Sequence, residues 1–146
     1  MLSVVIPTLN AADGLADTLE AVAGAAPVLE IVVADAGSTD GTGEVAARFS
    51  ARFIDAPRGR GFQMEMGARE AEGKWLLFLH ADTVLDAGWA PEAEAFMGEE
   101  ANRERAGVFR FALDDPAPAA RRIEKLANWR AVRLGLAYGD QGLLIS

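Results

Sequence analysis

Trp75-Leu76-Leu77-Phe78-Leu79-His80-Ala81-Asp82-Thr83 is a short apolar run that ends in an imidazole and a carboxylate two positions apart. Bounded by Gly73 on one side and a polar turn on the other, it has the length of a buried strand, although periodicity alone does not separate such a strand from a buried helical segment. In an open sheet of parallel strands, ligands collect beyond the carboxyl ends. His80 and Asp82 then stand where a ligand is expected.

Working outward, the same pattern repeats. Leu2–Ile6 is apolar and rich in β-branched residues, and Pro7 is expected to stop it, leading into a loop Thr8-Leu9-Asn10. Asn10 is a candidate cap for a helix carrying Leu15, Leu19 and Val22 at helical spacing, closed by Gly24 and Pro27. Glu30–Ala34 is a second strand, ending in Asp35-Ala36-Gly37-Ser38-Thr39-Asp40-Gly41-Thr42, a stretch of turn-forming residues. A helix through Val45, Ala46 and Phe49 precedes a short strand, Arg52–Ile54. Pro57-Arg58-Gly59-Arg60-Gly61 reads as a flexible basic loop before a helix from about Phe62 to Ala71. Strands alternating with helices over short links predict parallel β-α-β units with right-handed crossovers.

Beyond the opening stretch, a helix is expected over Pro91 to about Arg105, a strand over Val108–Leu113, and a basic helix from Ala119 to about Arg133. In that last helix Ile123, Leu126 and Val132 lie on or near one face, so the spacing favours an apolar stripe packed inward with the charges solvated. Trp129 and Tyr138 read either as stacking surfaces or, more commonly for such positions, as core. The chain stops within Leu143-Leu144-Ile145-Ser146, which looks like a strand. The expectation is one domain over residues 1–146 that lacks a C-terminal part.

Composition narrows the function. With 51% hydrophobic and 25% charged residues the chain has ordinary globular usage. A net charge of −8 argues against a general nucleic-acid binder, which needs a basic face. The charge is uneven: from Ala117 onward there are five basic and two acidic residues, leaving −11 for the rest. There is no cysteine, which suits a reducing compartment. Neither a signal peptide nor an apolar run of the ~20 residues a membrane helix needs is present, so a cytoplasmic chain is the expectation.

The chemistry at the strand ends has open readings. Asp35 could accept hydrogen bonds from a nucleoside, or serve only as a turn residue. Asp82 is an oxygen ligand suited to Mg²⁺ or Mn²⁺ beside phosphates, or a loop residue. His80, the only histidine, could ligate metal, contact phosphate, or be a satisfied side chain at a strand end. Arg58 and Arg60 between glycines could approach phosphate oxygens. Asp140 could remove a proton from an acceptor hydroxyl, or hold a turn. The first strand-to-helix turn has no Gly-x-Gly-x-x-Gly, which disfavours a nicotinamide dehydrogenase.

Taken as an ordered series, Ser3–Asn10, Ile31–Thr42, Gly59-Arg60-Gly61, Gln63-Met64, Gly67-Ala68, Leu77–Thr83 and Tyr138-Gly139-Asp140-Gln141-Gly142 resemble the glycosyltransferases of family 2, and more narrowly a bacterial subgroup. The resemblance implies an α/β fold of the Rossmann-like GT-A type, a mostly parallel sheet flanked by helices. It implies transfer of a sugar from a nucleoside-diphosphate sugar to an unknown acceptor hydroxyl, with inversion. Carried over by position, Pro7, Thr8, Asn10, Asp35, Ser38, Arg60, Gln63, His80 and Ala81 would face the nucleotide donor. Asp82 would hold a divalent metal, Mn²⁺ or Mg²⁺, and Asp140 would be the base. His80 departs from the aspartate with which the family's Asp-x-Asp begins. Peripheral contact with a membrane is implied by the lipid-linked acceptors common in that family. A nucleotidyltransferase and a non-catalytic sugar-nucleotide-binding module are the competing readings.

Overall fold

In the computed structural model, which describes all 146 residues, Leu2–Thr8 forms β1 at the centre of a five-stranded sheet. Its side chains are buried on both sides of the pleat: Leu2, Val4, Val5 and Ile6 have no exposure. A strand covered on both faces is what a near-continuous apolar run predicts. The chain then alternates as expected through α1 (Ala12–Val22), β2 (Val28–Asp35), α2 (Thr42–Arg48), β3 (Arg52–Asp55), α3 (Arg60–Glu70) and β4 (Trp75–Phe78). It continues through α4 (Trp89–Gly98) and α5 (Pro118–Leu134) to β5 (Leu143–Ile145), with single 3-10 turns at Glu100–Asn102 and Gly139–Gln141.

The strand order is β3-β2-β1-β4-β5. The first four are mutually parallel and β5 runs antiparallel to β4. After β1 the chain builds outward through β2 and β3, then returns to lay β4 on the other side of β1. The connections therefore diverge between β1 and β4, and this switch point is where open α/β sheets bind ligands.

The two faces of the sheet are packed differently. Leu2, Val4 and Ile6 point into the main core, with Leu15, Leu19 and Val22 of α1, Leu77 of β4, and Trp75 and Trp89. Val5 points the other way, toward α3. There Gly67 brings the helix so close that a Cβ on it would lie 2.3 Å from Val5 Cγ1. That separation is far inside van der Waals contact, so only glycine allows α3 to lie this near the sheet.

Several expectations are corrected. Pro7 does not end β1; it pairs in register with Ala34 of β2. Its missing N–H costs nothing because residues alternate sides along the strand, and Pro7 shares the side of Val5, whose carbonyl accepts from Leu79 N–H at the end of β4. Beyond that point no strand remains on that side to be paired. Helix α3 begins at Arg60 rather than Phe62, so Arg60 belongs to its first turn and not to a flexible loop. Helix α4 begins at Trp89 and ends at Gly98, shorter at its C-terminal end than expected.

Val108–Leu113 is extended but forms no strand; only Gly107 bridges to Leu144. The backbone N–H groups of alternate residues go elsewhere. That of Phe109 donates to Gln141 O, that of Phe111 to Asn128 Oδ1 and that of Leu113 to Glu124 Oε1. Side chains of α5 thus take the place of a neighbouring strand for Phe111 and Leu113, whose N–H groups are satisfied without a ladder.

The expected packing of α5 is also reversed. Its buried residues are Ala120 and Ala127, whereas Ile123, Leu126, Trp129 and Val132 are 53–83% exposed. Trp129 and Tyr138 are therefore not core; the core tryptophans are Trp75 and Trp89. No helix is long and apolar enough to cross a membrane.

Candidate active site

The divergence of the chain between β1 and β4 opens a cleft of about 580 Å³. Three segments wall it: Pro7–Ala11 with Asp13 and Gly14, then Arg58-Gly59-Arg60 with Gln63, and His80-Ala81-Asp82. Of the residues assigned by resemblance, Pro7, Thr8, Asn10, Arg60, Gln63, His80, Ala81 and Asp82 line this one space. Asp82 and the loop after β1 thus border one and the same space.

Asp35 and Ser38 are not in the cleft wall. Asp35 is 3% exposed and its carboxylate is fully used. Oδ1 accepts from Thr8 Oγ1 at 2.8 Å and Ser38 Oγ at 2.5 Å, and Oδ2 from the N–H groups of Gly37 at 2.9 Å and Ser38 at 2.7 Å. A carboxylate has about four acceptor sites, and the turn engages both of its oxygens twice. Burial alone would raise its pKa, but the Ser38 hydroxyl and N–H, the Thr8 hydroxyl and the Gly37 N–H together hold it below its ordinary value of 3.8. The turn role of Asp35 is thus seen directly in these four hydrogen bonds.

The neighbouring carboxylate does what was expected of Asn10. Helix α1 has no side-chain cap of its own. Asp40 Oδ2 accepts from Ala12 N–H at 3.0 Å, while Asp40 Oδ1 accepts from Thr42 Oγ1 and Thr42 N–H. Thr42 Oγ1 in turn accepts from Ala11 N–H at 3.0 Å. Asn10 instead sits at φ 50°, donates its N–H to Ser38 Oγ and accepts from Thr39 N–H. The Thr42 hydroxyl and the Ala12 N–H are the main reasons that the Asp40 carboxyl titrates below its usual range. The loop after β2 is therefore a brace for the loop after β1, which does line the cleft.

Two further contacts set the wall. Gln63 Nε2 donates to Thr8 O and Ala34 O at 2.6 and 3.0 Å, fixing the start of α3 to the ends of β1 and β2. On the other side Thr18 Oγ1 donates to Ala81 O at 3.0 Å. Gly14 permits this approach, because a Cβ there would stand 3.1 Å from Ala81 O and 3.3 Å from Asp82 Cβ. A glycine inside a helical pattern is a known sign of close packing, and that signal at Gly14 went unread in the sequence.

The charges that face the cleft are uncommitted. Arg58, Arg60 and Asp82 take part in none of the six ion pairs. Helix α3 opens on the cleft at Gly59 with no side-chain cap, so its first N–H groups and dipole add to the two guanidinium groups. Asp140 lies on the 3-10 turn before β5, and its Oδ1 is 2.7 Å from His80 Nδ1. This contact ties the Tyr138–Gly142 segment to the end of β4. The site thus presents a phosphate-attracting side, an opposing carboxylate, and a histidine held from behind by a second carboxylate.

The sequence matches the family profile for glycosyl transferase family 2 over residues 3–131. Curated relatives include mycobacterial PGL/p-HBAD biosynthesis glycosyltransferases, from Mycobacterium bovis and Mycobacterium tuberculosis, 39% identical over 108 residues. That match covers 68% of this chain and 42% of theirs, so the chain spans less than half the length of these relatives. Among solved structures, a mannosyltransferase from Pyrobaculum calidifontis in complex with GDP-Man and Mn²⁺ superposes with a TM-score of 0.72 at 17% identity, over 99% of this chain and 44% of that one. Glucosyl-3-phosphoglycerate synthase from M. tuberculosis, in complex with Mn²⁺, UDP and glucosyl-3-phosphoglycerate, gives 0.70 at 19% identity, over 100% and 56%. These likenesses show the GT-A fold.

The lowered Asp35 pKa fixes the sign of an acid effect. The Asp35 contribution is fully present above the ordinary carboxylate value and is lost as pH falls through the depressed folded value. Asp35→Asn is expected to lower stability by about 1–3 kcal/mol at neutral pH, since buried donors lose an acceptor. The gap to the unmodified chain should narrow in strong acid. Urea unfolding at neutral and acid pH measures it; an equal gap at both would contradict the ionised-turn account.

Proposed function

The chain belongs to glycosyl transferase family 2, and from its cleft we propose that it binds a nucleoside-diphosphate sugar and transfers the sugar to an acceptor hydroxyl. The observation that supports this reading is the convergence, in one cleft at the β1/β4 switch point, of two uncommitted arginines and a helix N-terminus with the free carboxylate of Asp82. A diphosphate needs the first set. Asp82 faces the same space and suits a cation carried on the diphosphate.

No group of three or more His, Cys, Asp or Glu side chains comes together as a preformed cage. His80 Nδ1 is already taken by Asp140. Asp82 and Asp13 are the carboxylates of the cleft wall outside any ion pair, and one carboxylate completed by phosphate oxygens and water is a normal Mg²⁺ or Mn²⁺ arrangement. The residues therefore fit a metal that arrives with the nucleotide. When bound it would offset charge on the departing diphosphate as a Lewis acid.

In this reading Arg58, Arg60 and the first turn of α3 bind the diphosphate and stabilise it as it departs. The Pro7–Ala11 loop, braced by Asp40 and Asn10, supports the nucleoside. Asp140 is the base. Its carboxylate is 56% exposed although one oxygen is paired with His80, which leaves acceptor capacity for a proton. The acceptor hydroxyl gives up that proton as its oxygen bonds to the anomeric carbon. The bond from that carbon to the diphosphate oxygen breaks with its electron pair going to the leaving group, so configuration inverts. Holding the partners in line supplies most of the rate.

A second partner is proposed from α5. Arg122, Lys125, Leu126, Trp129 and Arg133 share the face opposite Ala120 and Ala127 by helical spacing, and all five are exposed. Cations around exposed apolar side chains, on a chain otherwise strongly acidic, suit an anionic lipid surface. A lipid-linked acceptor would be presented there. The cysteine-free chain fits the cytoplasmic side.

Asp82→Ala is expected to abolish Mn²⁺-dependent binding of UDP-glucose or GDP-mannose, read by calorimetry, with the circular dichroism spectrum unchanged. Undiminished metal-dependent affinity would remove Asp82 from the donor site. Vesicles containing phosphatidylglycerol should sediment the chain, less so in high salt, while pure phosphatidylcholine vesicles should not. Equal recovery in the supernatant with both would dismiss the lipid surface.

A further inference from the structure

Arg130, near the C-terminal end of α5, is held by contacts that leave its charged end unused. Gly135, at φ 64° in the left-handed region, ends the helix and turns the chain back. Leu136 then meets Arg130 twice: its N–H donates to Arg130 O at 3.4 Å, and its carbonyl accepts from Arg130 Nε at 3.0 Å. The guanidinium lies over the ring of Tyr138, with Cζ 3.8 Å from the ring centroid, a stacking that suits its planar, weakly hydrated form. Arg52 and Arg121 spend their terminal nitrogens on carboxylates and carbonyls. Arg130 spends only Nε, and it takes part in none of the six ion pairs. Since no buried side-chain nitrogen lacks a partner, Nη1 and Nη2 are open to solvent.

The turn that carries Tyr138 borders the cleft. Tyr138 N–H donates to Gln141 Oε1 at 2.9 Å and Gln141 N–H to Tyr138 O at 3.1 Å, which closes the turn, and Gln141 Nε2 ties it to Phe109 O at 3.1 Å. Asp140 lies inside this closed turn. Gly139 lies against the cleft wall, where a Cβ on it would stand 2.8 Å from His80 Nε2 and 4.0 Å from Arg60 Nη1. The Arg130 guanidinium is therefore stacked on the residue two before the proposed base, on a turn that cannot move independently of it.

The charge at this place has no counter-ion. Glu124, the one acidic side chain of α5, is engaged by Arg121 and by the N–H of Leu113. Arg133, three residues beyond Arg130 on the same helix, adds a second positive charge nearby. With Nε occupied, the two terminal nitrogens offer parallel N–H donors, which match the two oxygens of a carboxylate or phosphate. A cation would be repelled there, and a neutral hydroxyl would leave the charge uncompensated.

Building on the sugar-nucleotide reading above, we propose that Arg130, stacked on Tyr138, is an oxyanion subsite for the acceptor. It takes a phosphate or carboxylate that the acceptor carries beside the hydroxyl offered to Asp140. Arg130 is then a specificity residue that selects anionic acceptors, and Tyr138 is a positioning residue that holds the guanidinium flat beside the turn.

The test uses the ¹⁵N-labelled whole chain, titrated without nucleotide with glycerol phosphate, with glycerate and with uncharged glycerol. The two anions are expected to move the Arg130 Nε–H signal and the amides of Tyr138–Gln141, and glycerol is not. Arg130→Gln should abolish the anion shifts. Arg130→Lys keeps the charge but loses the paired donors, and should bind about tenfold more weakly. Tyr138→Leu, which removes the ring, should weaken binding as well. Dihexanoyl phosphatidic acid below its micelle concentration separates the sources: tighter binding than glycerol phosphate at the same signals assigns the oxyanion to a lipid headgroup, and equal or weaker binding assigns it to a small soluble acceptor. Equal shifts with glycerol, or anion shifts retained in full by a folded Arg130→Gln chain, would overturn the proposal. UDP with Mg²⁺ should shift the cleft amides and leave glycerol phosphate in place at Arg130; displacement by UDP would make Arg130 part of the donor site and end the acceptor role. If UDP moves no amide anywhere, the sugar-nucleotide reading fails and the acceptor role with it. The anion titration, run without nucleotide, decides separately whether Arg130 binds an oxyanion.

Discussion

The parallel pairing of β1 with both β2 and β4 is the constraint on which the rest of the structure depends. Val4 and Val5 are matched to Ile31 and Val32 on one side and to Leu77 and Phe78 on the other. That register brings the ends of three strands to one edge, and because the sheet is built outward in opposite directions from β1 and β4, a gap is left there that no connection crosses. Shifting β4 by one residue would exchange its buried and outward side chains and carry His80 and Asp82 out of the cleft. The site is thus a consequence of how an apolar sheet is buried.

Around that gap the polar network is a bracing system in which few groups are idle. Asp35 and Asp40 spend their carboxylates on backbone N–H groups and hydroxyls of the loops after β1 and β2. No buried side-chain nitrogen or oxygen lacks a partner, as buried polar groups require. Within the cleft wall Arg58, Arg60, Asp13 and Asp82 stay outside every ion pair, which is the arrangement expected where charge is kept available for a ligand rather than used for stability.

Much of this was legible in the sequence, and the reason differs from part to part. The strands β1, β2 and β4 announced themselves because an apolar run between turn residues has few other uses, and the series of short motifs pointed to the family. Asp82 drew notice because a carboxylate just past a buried strand is conspicuous, and it does line the cleft. At Asp35 nucleoside binding and turn bracing call for the same residue at the same place, and the bracing became visible only in the hydrogen bonds. Asn10 and Asp40 exchanged roles for a related reason: the cap of α1 comes from a loop about thirty residues away in sequence, beyond any local rule. The Val108–Leu113 strand failed because side chains of α5 offered its backbone another set of partners. The stripe on α5 misled because periodicity reports which residues share a face, not whether that face meets the core; Ala120 and Ala127 do so instead.

The central claim is that the cleft between β1 and β4 is where the nucleotide sits. Amide chemical-shift mapping of the ¹⁵N-labelled chain during titration with UDP and Mg²⁺ tests it most directly. The account predicts shifts concentrated at Leu9–Gly14, Arg58–Gln63 and His80–Asp82, with β5 and α5 quiet. Shifts centred on another surface, with these three segments unmoved, would contradict it.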